Sequence, residues 1–218
     1  VLVLQDLGVP HMLEFARQMG ITTWNQDSSS YGLSLTLGGA EVTPLELTAA
    51  YAVFANGGNQ VTPISILRVQ KSNGEILFEQ PPQAAVSVLD PRVAYLISNI
   101  LDDDEARVPA MGRSNPLALP FPAAAKTGTT NDFRDNWTMG YTPGLVVGVW
   151  TGNTDNSEMI NISGLTGAAP LWHDYMQAVY TNYDLLAALT VNGVEPPADF
   201  VRPEGLVERP LCSLSSIT

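Results

Sequence analysis

Three short segments between residues 123 and 151 constrain the fold most, because each has the character of a β-strand. Residues 123–130 are small and apolar around a lysine, while residues 135–141 and 145–151 carry aromatic and β-branched side chains. The last two flank Thr142-Pro143-Gly144, which is typical of a tight hairpin turn. Neighbouring strands of this kind predict an antiparallel sheet.

Helices are predicted before and after these strands in the sequence, and two of them are recognised by the residues that cap them. Thr43-Pro44-Leu45-Glu46 is a capping box, and Asn56-Gly57-Gly58 ends the run that follows it. Asp90-Pro91 begins a second helix, with an apolar face of Leu96, Ile97, Ile100 and Leu101. Residues 10–19 and 168–180 are predicted as two more helices, the latter with Leu171, Tyr175, Met176 and Val179 on one side.

A second hairpin and a proline-rich tail complete the predicted organisation. Residues 64–71 and 75–79 flank Ser72-Asn73-Gly74, where Asn and Gly tolerate positive φ. Beyond residue 182, Pro196-Pro197, Pro203 and Pro210 interrupt any regular element. We therefore predict an α+β fold, an antiparallel sheet with flanking helices, over residues 1–182 and a linker or exit segment over 183–218.

Composition excludes several classes of function. The net charge of −12 and pI near 4.3 repel phosphate backbones, so nucleic-acid binding is disfavoured. One cysteine and two histidines cannot build a structural zinc site unaided. The single cysteine, Cys212, is predicted to be a free thiol.

The most informative stretch is Ala125-Lys126-Thr127-Gly128-Thr129-Thr130-Asn131. A lysine, small hydroxyls and a glycine on a strand suit a carboxylate, which takes charge-assisted hydrogen bonds. A phosphate-binding loop would need glycines at positions 120 and 125, where Pro120 and Ala125 stand.

Lys126-Thr127-Gly128 also resembles the third signature of the penicillin-binding proteins and serine β-lactamases. The surrounding sequence is similar to the class A, bifunctional penicillin-binding proteins over about residues 1 to 180. The stretches that carry this resemblance are residues 38–47, 52–58, 106–112, 135–143 and 166–172. They belong to the transpeptidase domain, so the resemblance implies part of that serine β-lactamase and penicillin-binding fold.

The resemblance implies serine acyl transfer on peptidoglycan stem peptides that end in D-Ala-D-Ala, and acylation of the same serine by β-lactams. Lys126, Thr127, Gly128, Thr129 and Thr130 would then form the substrate-binding strand, with the Thr129 backbone N–H as an oxyanion donor. No metal or organic cofactor is implied. The parent protein is expected to be extracytoplasmic and anchored by an upstream membrane helix.

The chain departs from the family pattern where the nucleophile should be. No serine has a lysine three places on, and no S-x-N occurs. Ser65-Ile66-Leu67-Arg68 is nearest, but arginine stays protonated and cannot act as the base. Because both motifs precede KTG in the family, we predict that they lie upstream, with the other half of the domain as a partner. Two alternatives stay open, a D,D-carboxypeptidase or β-lactamase of the same fold and a non-catalytic module that binds cell-wall peptides.

Overall fold

The structure is a computed structural model that describes residues 1–160, 162–190 and 193–210; Cys212 and the end of the predicted tail lie outside them. The helices are α1 (Leu2–Leu7), α2 (Val9–Gln18), α3 (Pro44–Ala55), α4 (Pro91–Asp102), α5 (Asp104–Met111), α6 (Ala168–Thr181) and α7 (Tyr183–Ala187). The strands are β1 (Asn59–Gln60), β2 (Arg68–Gln70), β3 (Ile76–Glu79), β4 (Val86–Ser87), β5 (Ala124–Thr129), β6 (Asp135–Tyr141) and β7 (Val146–Gly152). Within the described ranges, no helix is both long and apolar enough to cross a membrane.

The predicted antiparallel sheet is confirmed, with the strand order β5-β6-β7. Lys126 lies opposite Met139 and Thr129 opposite Asn136 in the β5–β6 register. The turn between β6 and β7 is closed by the Thr142 hydroxyl, which accepts hydrogen bonds from the Gly144 and Leu145 N–H groups at 3.2 and 3.1 Å. Local turn chemistry therefore fixes the register between β6 and β7.

Helices cover both faces of this sheet. A Cβ added to Gly140 would lie 2.3 Å from the Trp172 ring of α6, whereas one added to Gly148 would lie 2.3 Å from the Thr48 hydroxyl of α3. Alternate residues of a strand point to opposite faces. We call the face of the sheet that α6 covers the back face. The opposite face, which α3 and α4 cover, is the front face, and the side chains of Lys126 and Met139 lie on it.

Each face has a buried core. On the back face, Trp172 and Met176 pack with Leu117, Ala123 and Ala125. On the front face, Tyr141 is fully buried and its hydroxyl lies 3.0 Å from that of Ser98 in α4. Burial raises the pKa of Tyr141 to about 12.

The caps that predicted α3 and α4 are present. Thr43 accepts a hydrogen bond from the Glu46 N–H at 3.2 Å, and Asp90 accepts one from the Arg92 N–H at 2.8 Å. The Glu46 carboxylate also accepts hydrogen bonds from both the N–H and hydroxyl groups of Thr22 and Thr23, at 2.5–3.1 Å. Burial acts to raise the pKa of Glu46, but these hydrogen bonds outweigh it and lower the pKa to about 2.

The apolar sides predicted for α4 and α6 are only partly buried. Met176 and Val179 are buried, but Leu171 and Tyr175 of α6 are 57% and 56% exposed, and Leu96 and Ile100 of α4 are also exposed. The sheet instead meets the sides of these helices that carry Ala94, Ser98, Ala168, Ala169 and Trp172. Small residues on these sides allow the helix backbone to approach the sheet closely. The longer apolar side chains lie on other sides of the helices and point away from the sheet.

The second hairpin is confirmed but shorter than predicted. β2 pairs with β3, with Val69 opposite Phe78, and the first strand begins only at Arg68. A further two-residue pairing, Asn59 with Ser87 and Gln60 with Val86, joins β1 to β4 and was not predicted.

The described part of the tail lies against the domain. Asn182 caps α7 by accepting hydrogen bonds from the Asp184 and Leu185 N–H groups. The Phe200 ring lies 5.6 Å from that of Tyr141, centroid to centroid. The domain boundary after residue 182 stays a prediction.

Candidate active site

The residues singled out as a carboxylate site lie at one edge of the sheet. Lys126, Thr127, Gly128 and Thr129 are on β5, and Thr130 follows it directly. In the part of the chain that the structure describes, β5 pairs only with β6, so its other edge is open. An open strand edge presents backbone N–H and C=O groups that can bind an extended peptide.

The pairing of Thr130 establishes which backbone groups face this edge. The Thr130 N–H donates to the Asp135 carbonyl at 3.2 Å, towards β6. Successive N–H groups of an extended strand point to opposite sides, so those of Thr129 and Thr127 point to the open edge. The Thr127 carbonyl also faces outwards, since the Lys126 ammonium donates to it. The Thr129 N–H therefore points to the open edge, and its role as an oxyanion donor stays a prediction.

Lys126 supplies positive charge at the same edge. Its side chain is exposed on the front face and, among the described residues, makes no ion pair with a carboxylate. The only other lysine, Lys71, is ion-paired with Glu75 at 2.9 Å on the distant β2–β3 turn. An ammonium with no carboxylate partner is available to an anionic ligand.

Two of the three threonine hydroxyls are engaged within the protein. The Thr129 hydroxyl accepts a hydrogen bond from the Gly164 N–H at 3.0 Å, on the back face. The Thr130 hydroxyl donates to the Asp135 carbonyl at 3.1 Å and accepts from the Asp135 N–H at 3.0 Å. The Thr130 side chain thus closes the start of the β5–β6 connection. The predicted contacts of these hydroxyls with substrate stay predictions.

Packing among the described residues does not require glycine at position 128. A Cβ added there would meet only the Trp137 Cβ of those residues, at an ordinary 3.6 Å. Gly128 shares the front face with Lys126, since the two are separated by one residue along β5. The missing side chain leaves room beside the lysine, which agrees with the predicted close approach of a ligand.

The connection after β5 contains strained backbone. Asp132 and Phe133 adopt φ values of 60° and 53°, in the left-handed region that non-glycine residues seldom occupy. Arg134 holds this connection to the segment after β7 by donating to the Asn156 carbonyl at 2.7 Å and to Glu158 at 3.3 Å. Its charge is balanced by that carboxylate, whereas Lys126 on β5 has no carboxylate partner among the described residues.

Sequence reasoning missed the residues behind β5. Asn136 and Thr138 lie opposite Thr129 and Thr127 on β6, and both form hydrogen bonds on the back face with the segment that contains Gly164. The available signal was the pair of glycines in Ser163-Gly164-Leu165-Thr166-Gly167, between a strand and a helix. No sequence pattern places that segment against β5.

Comparison with known proteins identifies the family of this chain. Residues 6–177 match the family described as "Penicillin binding protein transpeptidase domain". The chain is 36% identical over 186 residues to Penicillin-binding protein 1A of Aquifex aeolicus, covering 83% of this chain and 24% of that protein. It is 31% identical over 222 residues to Penicillin-binding protein 2D of Bacillus subtilis, covering 97% of this chain and 30% of that protein. The chain thus spans about a quarter of the length of the curated relatives it matches first.

Solved structures show the same fold. PonA1 from Mycobacterium tuberculosis superposes with a TM-score of 0.67 at 20% identity, covering 94% of this chain and 58% of that one. Penicillin-Binding Protein 1A from Haemophilus influenzae superposes with a TM-score of 0.64 at 24% identity, covering 83% of this chain and 32% of that one. The chain belongs to the penicillin-binding protein transpeptidase domain family. The predicted fold is confirmed, as is the predicted resemblance to class A, since the first relatives carry the name Penicillin-binding protein 1A.

Proposed function

We propose that this chain forms the carboxylate-binding and oxyanion wall of a serine D,D-transpeptidase whose nucleophile lies in another part of a longer protein. The observation that carries the proposal is the open edge of β5, where the exposed Lys126 ammonium and the outward Thr129 N–H lie three residues apart on one strand. One group suits the terminal carboxylate of a peptide, and the other suits the oxyanion that forms on its carbonyl.

In the proposed reaction, the serine attacks the penultimate carbonyl of a stem peptide that ends in D-Ala-D-Ala. Lys126, with Thr127, holds the terminal carboxylate, and Gly128 leaves space for the substrate backbone. The Thr129 N–H and the N–H of the nucleophile stabilise the tetrahedral oxyanion, D-alanine leaves, and an amine of a neighbouring strand takes the acyl group. β-Lactams acylate the same serine. The solved complex of PonA1 with penicillin V supports the binding of β-lactams.

The free edge of β7 supports the proposal that the rest of the domain docks here. Among the described residues, β7 pairs only with β6. Beside it runs a groove of about 500 Å³ lined by Thr48, residues 145–149 and the exposed Leu171 and Tyr175. An apolar, uncharged strand edge is a site for pairing with another segment. The exposed Leu96 and Ile100 of α4 fit the same explanation, since they are apolar surface that a covering half would bury.

The proposal places the longer protein outside the cytoplasm, where peptidoglycan is cross-linked, and anchored by a membrane helix upstream of this chain. Relatives of about four times the length leave room for such a segment. No step needs a metal or organic cofactor.

The proposed reaction is tested with the longer protein, a stem peptide ending in D-Ala-D-Ala and an amine acceptor. We expect release of D-alanine together with a matching amount of cross-linked peptide, measured by mass spectrometry. The control is the same peptide with its terminal carboxylate converted to an amide, which should react much more slowly because Lys126 has no anion to bind. Hydrolysis without cross-linking would indicate a D,D-carboxypeptidase, and no D-alanine release would contradict the proposal.

A further inference from the structure

We propose that the turn at residues 163–168, here called the glycine turn, is a positioning element that holds the β5 backbone so that the Thr129 N–H faces the open edge. This inference rests on the proposed function, because it assigns a role in the same acyl-transfer site.

The glycine turn is bonded directly to Thr129. The Gly164 N–H donates to the Thr129 hydroxyl at 3.0 Å, and the Gly164 carbonyl accepts from the Thr138 hydroxyl at 3.3 Å. Thr138 is fully buried on β6, opposite Thr127. Since the Thr129 hydroxyl and N–H belong to one residue, fixing the hydroxyl on the back face limits the rotation of the N–H on the open edge.

The turn is also in van der Waals contact with the two strands. A Cβ added to Gly164 would lie 2.6 Å from the Gly128 carbonyl oxygen and 2.8 Å from that of Trp137. Both neighbours are backbone atoms, so a side chain at 164 can be accommodated only by moving β5, β6 or the turn. Glycine is therefore required at 164 by the close approach of the turn to the oxyanion strand.

The other end of the turn is anchored to the residue opposite Thr129. Asn136 is fully buried, and its side-chain oxygen accepts from the Ala168 N–H at 2.9 Å and from the Thr151 hydroxyl at 2.8 Å. A Cβ added to Gly167 would lie 2.6 Å from the same oxygen. The turn closes on itself through the Gly167 N–H and the Ser163 carbonyl at 2.8 Å. Both ends of the glycine turn are thus held by the Thr129–Asn136 pair of the sheet.

The test uses the longer protein and separates binding from chemistry. A chromogenic cephalosporin is mixed with wild type, Gly164→Ala, Thr129→Ala and Thr129→Ser, and stopped-flow kinetics give the dissociation constant before acylation and the acylation rate constant. We expect Gly164→Ala and Thr129→Ala to lower the acylation rate constant about 10- to 100-fold. This effect is smaller than the decrease of about 10²–10³-fold that is typical when an oxyanion donor is lost, because the N–H is displaced and not removed. For Gly164→Ala the dissociation constant should stay within about two-fold, because Lys126 and Thr127, the residues proposed to hold the carboxylate, are untouched.

Two further variants complete the design. Thr129→Ser keeps the hydroxyl and should restore most of the rate. Gly32→Ala is the matched control. Gly32 is exposed, and a Cβ there would meet no described atom nearer than the Ser34 hydroxyl at 3.7 Å, so acylation should equal wild type. Thr129→Ala only removes atoms, which keeps the test usable where Gly164→Ala yields no folded protein.

Three results would overturn the inference. If wild type is acylated but Gly164→Ala and Thr129→Ala react at the wild-type rate, the glycine turn has no positioning role and the proposed function stands. If Thr129→Ala raises the dissociation constant and leaves the rate constant unchanged, the hydroxyl binds the carboxylate instead. If wild type itself forms no acyl-enzyme, the proposed function fails and the inference fails with it.

Discussion

Replacing Lys126 with alanine in the longer protein is expected to lower the second-order rate of acylation by benzylpenicillin about 10- to 150-fold. A hydrogen bond to a charged group contributes roughly 1.5–3 kcal/mol, and each 1.36 kcal/mol corresponds to a tenfold change in rate. The Lys126 ammonium is exposed, lies on the front face of β5 and has no carboxylate partner among the described residues. Its charge is therefore available to the carboxylate that penicillins and stem peptides share.

Lys71→Ala is the matched control, since it removes the only other lysine of the chain. Lys71 lies on the β2–β3 turn and is paired with Glu75, far along the chain from β5. Its loss should leave acylation unchanged, and Lys126→Arg, which keeps the charge with another geometry, should lie between wild type and Lys126→Ala. Equal rates for wild type and Lys126→Ala would remove Lys126 from the site.

Replacing Trp172 with alanine is expected to lower the free energy of unfolding by about 3–5 kcal/mol, the range for buried large aromatic side chains. Trp172 is 0% exposed and its ring lies directly over Gly140, in the core between α6 and the back face of the sheet. Removing it leaves a cavity that backbone atoms of β6 cannot fill without breaking the sheet register.

Trp150→Ala is the control for this prediction, because Trp150 is 40% exposed and its ring contacts Trp137 near the edge of the sheet. We expect it to cost about 1 kcal/mol or less, consistent with partial exposure and one lost hydrogen bond to Asp135. Chemical denaturation followed by circular dichroism measures both variants. Equal destabilisation by the two substitutions would show that α6 does not form the core of this sheet.

Much of the fold could be predicted because its determinants are local in sequence. Thr43 and Asp90 cap α3 and α4 through backbone N–H groups two or three residues away, and the Thr142 turn sets the β6–β7 register. Such contacts depend on a few neighbouring residues, so a single sequence contains them.

The helix faces could not be predicted in the same way. Leu96 and Ile100 have helical spacing with Ile97 and Leu101, yet the sheet lies against Ala94 and Ser98. An apolar pattern indicates that a face is buried in the complete protein, but it does not say which neighbour buries it. Glu46 illustrates the same limit, since its strongest partners are Thr22 and Thr23, more than twenty residues earlier.

In the candidate site, too, features that depend on neighbouring residues could be predicted, and features that depend on distant residues could not. The KTG motif identified Lys126 and the strand that carries Thr129, because those residues are contiguous. The direction of the Thr129 hydroxyl depends on Gly164, which is 35 residues further along the chain and meets β5 only in the folded structure. Pattern therefore located the strand, and tertiary packing determined which of its groups face the open edge.

The central claim is that this chain carries the binding wall of the site and another part of a longer protein carries the nucleophile. Labelling with a fluorescent penicillin, followed by mass spectrometric mapping, tests it most directly. We expect the isolated chain to form no covalent adduct, and the longer protein to be labelled on a serine outside these 218 residues. A penicilloyl adduct on any serine within the chain would contradict the account.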